Sequence, residues 1–265
     1  SWTNGARTAD VAVRMLAGTT APATPSAGTA VGSGLRTSAA AKGLKAGTDY
    51  AFSVFALGDD GAASAARSVV VRGTKLTAKT AKAINHGGKV KVTGTLTRAT
   101  SGAKIAGATV KLLQRPGKGT AWKTVATGKT SAKGVVTLTH VARRNGQYAL
   151  RFGGAGTDVG VTSPVRTVKV RQVVTATLSK SRVAPGTEVT VSGSVTPASK
   201  GHTVKLQQRT KKGWKEIASQ KLAKKGTFAF TVKPAAKGSY EYRVNSPATK
   251  THAAATSPAR TLKVA

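Results

Sequence analysis

The feature that most constrains this chain is that it repeats itself. GGKVKVTGTL (87–96) is matched by PGTEVTVSGSV (185–195), VKLLQR (110–115) by VKLQQR (204–209), and AWKTVA (121–126) by GWKEIA (213–218). QYALRF (147–152) then pairs with SYEYRV (239–244), and TSPVRTVKV (162–170) with TSPARTLKV (256–264). Five matches in unbroken order define two tandem copies of one unit, 75–171 and 172–265, and leave a different unit at 1–74. A chain of 265 residues is long enough for two or three small domains. The turn signals favour three.

Within each copy apolar residues alternate, as in Val90, Val92 and Leu96 or Val189, Val191 and Val195, which is the period of half-buried strands. PGKG (116–119), AKG (132–134), RNG (144–146), APG (184–186), KKG (211–213) and AKG (236–238) punctuate them at the spacing expected of a sandwich. No segment carries a helical period. Aromatic residues make up only 5% of the chain, so each core must be thin and rich in valine. The expected fold class is all-β, three tandem immunoglobulin-like β-sandwiches. There is no cysteine, hence no disulfide framework, thiolate metal site or cysteine nucleophile. No run of eighteen apolar residues occurs. The start, SWTNGARTAD, has no leader character and opens on a Trp, which predicts a fragment or a processed product.

The 1–74 unit resembles a fibronectin type III domain. Trp2 matches the core tryptophan of that family's second strand, and Leu44, Gly47, Thr48 and Tyr50 match its leucine-to-tyrosine motif, followed by alternating Tyr50, Phe52, Val54 and Ala56. The resemblance implies that the first strand is missing. The two later copies resemble bacterial immunoglobulin-like domains of secreted, actinobacterial-type proteins, through their VTVSG-like strand, their GATVKLLQR and GHTVKLQQR strands and the Trp that follows. That resemblance implies a fold; such units serve as spacers, stalks and binding modules alike.

Lys and Arg number 43 against 8 Asp and Glu, a net charge of +35. The excess is uneven: +3 over 1–74, +18 over 75–171 and +14 over 172–265. A magnitude of about 2 to 8 suffices to keep a small domain in solution, so the later copies tolerate self-repulsion beyond that need. An anionic partner is the expectation: teichoic acid, extracellular DNA or an acidic polysaccharide. The expected contacts are Lys79, Lys82, Lys89 and Lys91 in the first copy and Lys211, Lys212, Lys215, Lys221, Lys224 and Lys225 in the second, lying outward on strands and turns. Lysine acts as a mobile point charge, which favours delocalised attraction over sequence reading. No motif for sequence-specific nucleic-acid recognition is present. Trp122 and Trp214, at equivalent places, read first as packing residues alternating with Val125 and Ile217, and second as an aromatic platform.

Catalysis has no visible seat. The acids are dispersed, with Asp158 alone in the first copy and Glu188, Glu216 and Glu241 scattered in the second, and Asp59 and Asp60 sit in a turn. His86, His140, His202 and His252 occur singly and are expected in loops or exposed to solvent, with no ligand spacing for a metal. No cofactor, metal or catalytic residue is assigned. The expected function is a non-catalytic extracellular segment, a spacer or stalk associated with the cell envelope whose basic units adhere to anionic polymer. The alternative is the accessory part of a secreted hydrolase, a glycosidase or peptidase, whose catalytic domain lies upstream.

Overall fold

The computed structural model describes residues 1–198 and 201–265. Among them there is no helix, and hence none long and apolar enough to cross a membrane. Strands β1 (Asp10–Ala17), β2 (Thr29–Gly32), β3 (Tyr50–Leu57) and β4 (Arg67–Val71) form one antiparallel sheet in the order β2-β1-β3-β4. The Tyr50 hydroxyl accepts a 2.9 Å hydrogen bond from the Lys45 N–H five residues upstream, a tyrosine corner of the kind found in immunoglobulin-like sandwiches. Trp2 does not lie in a core strand as the resemblance implied. Its indole N–H bonds the Asn4 side chain, and its backbone N–H bonds the Thr37 carbonyl. Trp2 instead lines a hollow of about 420 Å³ with Leu44, Phe52, Val54 and Val69, on one face of the sheet.

The first copy contributes β5 (Thr74–Leu76), β6 (Ala83–Asn85), β7 (Lys89–Arg98), β8 (Thr109–Arg115), β9 (Lys123–Lys129), β10 (Val135–Val141), β11 (Gly146–Ala155), β12 (Asp158–Thr162) and β13 (Arg166–Arg171). They make a narrow sheet, β10-β7-β5, and a wide one, β6-β13-β11-β8-β9, with β12 added to β11. The second copy contributes β14 (Val173–Leu178), β15 (Arg182–Val183), β16 (Val189–Thr196), β17 (Thr203–Thr210), β18 (Gly213–Lys221), β19 (Thr227–Val232), β20 (Gly238–Ser246), β21 (Ala255–Thr256) and β22 (Arg260–Val264). Its sheets, β14-β16-β19 and β15-β22-β20-β17-β18 with β21 on β20, repeat the same topology. In both, the first strand pairs with the narrow sheet, and the chain then crosses to run parallel beside the last strand of the wide one, β6 with β13 and β15 with β22. These are immunoglobulin-like β-sandwiches, as the alternation predicted.

Every second residue of the paired strands enters the core between the sheets. Val90, Val92 and Leu96 meet Val110, Leu112, Leu150 and Phe152 in the first copy; Val189, Val191 and Val195 meet Val204, Leu206, Val244 and Leu262 in the second. The repeated TSP-x-R-T motif holds this assembly together. Ser163 Oγ accepts the Leu150 N–H at 2.9 Å, and Ser257 Oγ the Val244 N–H at 3.0 Å. Arg166 Nε–H then donates to the Ala78 carbonyl, just past β5, and Arg260 Nε–H to that of Ala176 on β14, each at 2.7 Å, tying the wide sheet to the narrow one.

Strand register corrects one sequence match. Gln114 and Gln208 stand at the same place in the VKLLQR and VKLQQR strands, and they lie opposite Tyr148 and Tyr242 respectively. Tyr148 therefore corresponds to Tyr242, two residues beyond the Tyr240 that the sequence aligns with it. Both are buried in the cores. Burial pushes the Tyr148 phenol up to about 12 and raises that of Tyr242.

The copies meet through backbone and imidazole. Ala253 N–H donates to Val170 O at 2.7 Å, and Asn145 N–H to Thr251 O at 2.7 Å. His252 lies in a loop, as the sequence suggests, but it is only 7% exposed. The loop that carries it is drawn between the copies, where Nε2 reaches the Arg143 carbonyl at 2.7 Å and His86 Nδ1 at 3.2 Å. His140 is the one that departs from a loop or exposed place: it lies half-buried on strand β10, in contact with the Tyr148 hydroxyl.

Candidate polyanion-binding surface

All ten lysines singled out from the sequence are exposed, but they do not form one surface. Because Val90 and Val92 point inward, Lys89 and Lys91 face outward on β7, and Lys79, bridged to Thr93, joins them on the outer face of the narrow sheet. Lys75 on β5 belongs to that face too, between the buried Thr74 and Leu76. Lys82 does not, since its carbonyl bonds Lys169 N–H at the margin of the wide sheet. In the second copy, Lys211 and Lys212 occupy the turn before β18, whereas Lys221 ends that strand and Lys224 and Lys225 lie in the turn beyond. A strand of this length keeps the two groups about 26 Å apart. Lys215 and Trp214 are adjacent on β18 and so point to opposite faces.

Few of these charges are neutralised internally. Among the described residues there are three ion pairs: Arg98 with Asp158 at 2.8 Å, Lys205 with Glu216 at 2.9 Å, and Lys233 with Glu188 at 3.7 Å. The first is two-pronged, with Nη2 to Oδ2 at 3.2 Å, and it raises the Arg98 pKa. The other two are open to solvent, where such pairs contribute little.

Trp122 and Trp214 are half-buried at the outer rim of the wide sheets, outside both core clusters. Ile217, expected to alternate with Trp214 in packing, is 42% exposed. A register shift between Leu206 and Gln207 changes the facing of β18 between the two. Each indole carries a guanidinium. Arg115 lies over Trp122 at 4.4 Å, and Arg243 and Arg209 lie over Trp214 at 4.3 and 5.5 Å. A glutamine on the neighbouring strand fixes the stacked arginine: Arg115 Nε–H donates to Gln147 Oε1, and Arg243 Nε–H to Gln207 Oε1, both at 2.8 Å.

Runs of basic residues along the chain do not point to these arginines. The available signal was different. Arg115 and Arg209 lie at or next to the end of one strand and a Trp at or next to the start of the following one, beyond a turn, which makes them cross-strand neighbours. Arg243 could not be found this way, because its place on the face depends on the register of β20 against β17.

No known protein family matches the chain, and no curated protein matches it in sequence. Among solved structures, the chain is similar to the D0–D1 domain of intimin at 14% identity, covering 72% of this chain and 98% of that one, with a TM-score of 0.29. A tetra-tandem repeat from the extending region of a large adhesion protein is 16% identical over 98% of this chain and 68% of that one, TM-score 0.31. The alpha-2-macroglobulin of E. coli is 14% identical over 97% of this chain and 20% of its own length, TM-score 0.31.

Proposed function

We propose that this chain is a non-catalytic extracellular segment, a spacer or stalk of immunoglobulin-like units at the cell envelope, and that its two later units adhere to anionic polymer. The observation that carries the reading is the imbalance of charge over 75–265, +32 in net, spread over both faces of two sandwiches whose carboxylates neutralise only three cations among the described residues. A surface of this kind attracts any dense row of anions, and the release of their counterions supplies the binding free energy. The tyrosine corner of Tyr50 supports a fibronectin type III-like first unit. Three of the four acids in the basic units are occupied by a cation, so no carboxylate pair stands ready for acid–base work.

The test is binding of the whole chain to poly(glycerol phosphate), duplex DNA and a neutral glucan across about 50 to 500 mM salt. Both polyanions are expected to bind with similar, steep salt slopes and the glucan not at all. Absence of binding to either polyanion at about 50 mM overturns adhesion and leaves a passive spacer.

A further inference from the structure

We propose that the arginine–tryptophan–glutamine groups on the wide sheets are two seats for individual phosphodiester anions, and that they, more than the exposed lysines, grip an anionic polymer. The proposal rests on the polyanion reading and locates its closest contacts.

Three observations converge. First, Arg115 and Arg243 are each held on two sides, by an indole beneath and by a glutamine oxygen on Nε. A guanidinium fixed in this way keeps its two Nη groups for an incoming oxyanion, and its planar fork matches two oxygens of a phosphate. Second, Arg209 and Arg243 share one indole as like charges. Glu216 on the same face is bound to Lys205, and neither it nor Glu241 comes within ion-pair distance of either guanidinium. Partial burial, together with the crowding of charge, holds the Arg243 pKa below its ordinary value. An anion between the two guanidinium groups would relieve that repulsion.

Third, the copies build the same group from different positions. In the first, the stacked arginine comes from β8 and its glutamine from β11; in the second, the arginine bound to glutamine comes from β20 and the glutamine from β17. Residue-by-residue inheritance accounts for Arg115 and Arg209 over their indoles, but not for the glutamine-bound arginine, which is rebuilt from exchanged strands. Packing alone would be met by any long side chain over the ring. The covered indole also changes the role of the tryptophans, which serve as a bed for the cation and not as an open platform for a sugar or a base.

The experiment uses the whole chain and its Arg115→Lys, Arg243→Lys double variant, which leaves the net charge unchanged. In a first arm, the indole N–H resonances of Trp122 and Trp214 are followed during titration with glycerophosphoglycerol, a small phosphodiester. Both should shift in the parent chain and stay still in the variant, with Trp2 unmoved in either. In the second arm, the double variant should bind poly(glycerol phosphate) roughly five- to tenfold more weakly, with the salt slope retained. Loss on duplex DNA as well would mean that the seats read the phosphodiester itself; loss on poly(glycerol phosphate) alone would mean that they read it on a polyol chain. Equal affinity of parent and variant for both polymers overturns the seats while leaving lysine-driven adhesion intact. Silent indoles in the parent overturn them too, whereas failure of the parent to bind any polyanion removes the functional reading itself. An unchanged thermal midpoint in the variant separates a lost seat from a lost fold.

Discussion

At Gly94 and Gly193 the backbones of two strands come too close for any side chain. A Cβ on Gly94 would stand 2.3 Å from the Thr77 carbonyl oxygen and 2.4 Å from Leu150 Cδ1; on Gly193 it would stand 2.0 Å from the Thr175 oxygen and 2.8 Å from the Phe228 ring. Gly193→Ala is expected to destabilise the second copy by about 1–3 kcal/mol, read as a lower urea midpoint. The VTG and VSG match was visible in the sequence, but the reason for the glycine lies in backbone further up the chain, at Thr77 just past β5 and at Thr175 on β14. Arg260 gives a parallel case. Nothing in so basic a sequence sets it apart, yet it is a structural donor across the sandwich, and Arg260→Ala should lower stability by about 1–3 kcal/mol by leaving the Ala176 carbonyl without its partner.

At the scale of strands and joints, period-two alternation gave away most of the fold, because a half-buried strand leaves its mark in consecutive residues. Register did not show itself: QYALRF and SYEYRV align on the wrong tyrosine since both readings put an aromatic beside alternating residues, and only cross-strand pairing separates them. The joint between the copies was equally hidden, being built from loops 143–145 and 249–253. It predicts a response to acid. To donate to the Arg143 carbonyl, His252 Nε2 must carry its proton, so His86 Nδ1 faces it with a lone pair. Burial lowers the His252 pKa, the Arg143 carbonyl works against that shift, and the His86 ring adds to it. The titratable residues at the joint are His86, Arg143, Arg144, Arg171, Lys250 and His252, with no carboxylate among them. A separated pair of copies therefore binds protons that the joined pair refuses. The joint is firm above about pH 6.5 and loosens as pH falls through that value. Exchange protection of the Asn145 and Ala253 amides, corrected for intrinsic rate, should fall between about pH 7.5 and about pH 5.5, and His252→Gln should abolish the difference.

For the molecule as a whole, composition pointed to a polyanion partner, because net charge is a sum that needs no fold. The surface proposed to meet such a partner is a different matter. Lysines close in sequence were divided between opposite ends of β18, while the arginines that cluster in space came from separate strands. The strand order has a consequence of its own. In each copy a short strand near the point of entry runs parallel beside the last strand, with Ala83 to Asn85 against Lys169 to Arg171 and Arg182 to Val183 against Lys263 to Val264. Tension applied at the two ends of such a unit pulls these neighbours in opposite directions along their length. Their hydrogen bonds are then strained together and must break together, where a hairpin pulled from its open end would unzip rung by rung.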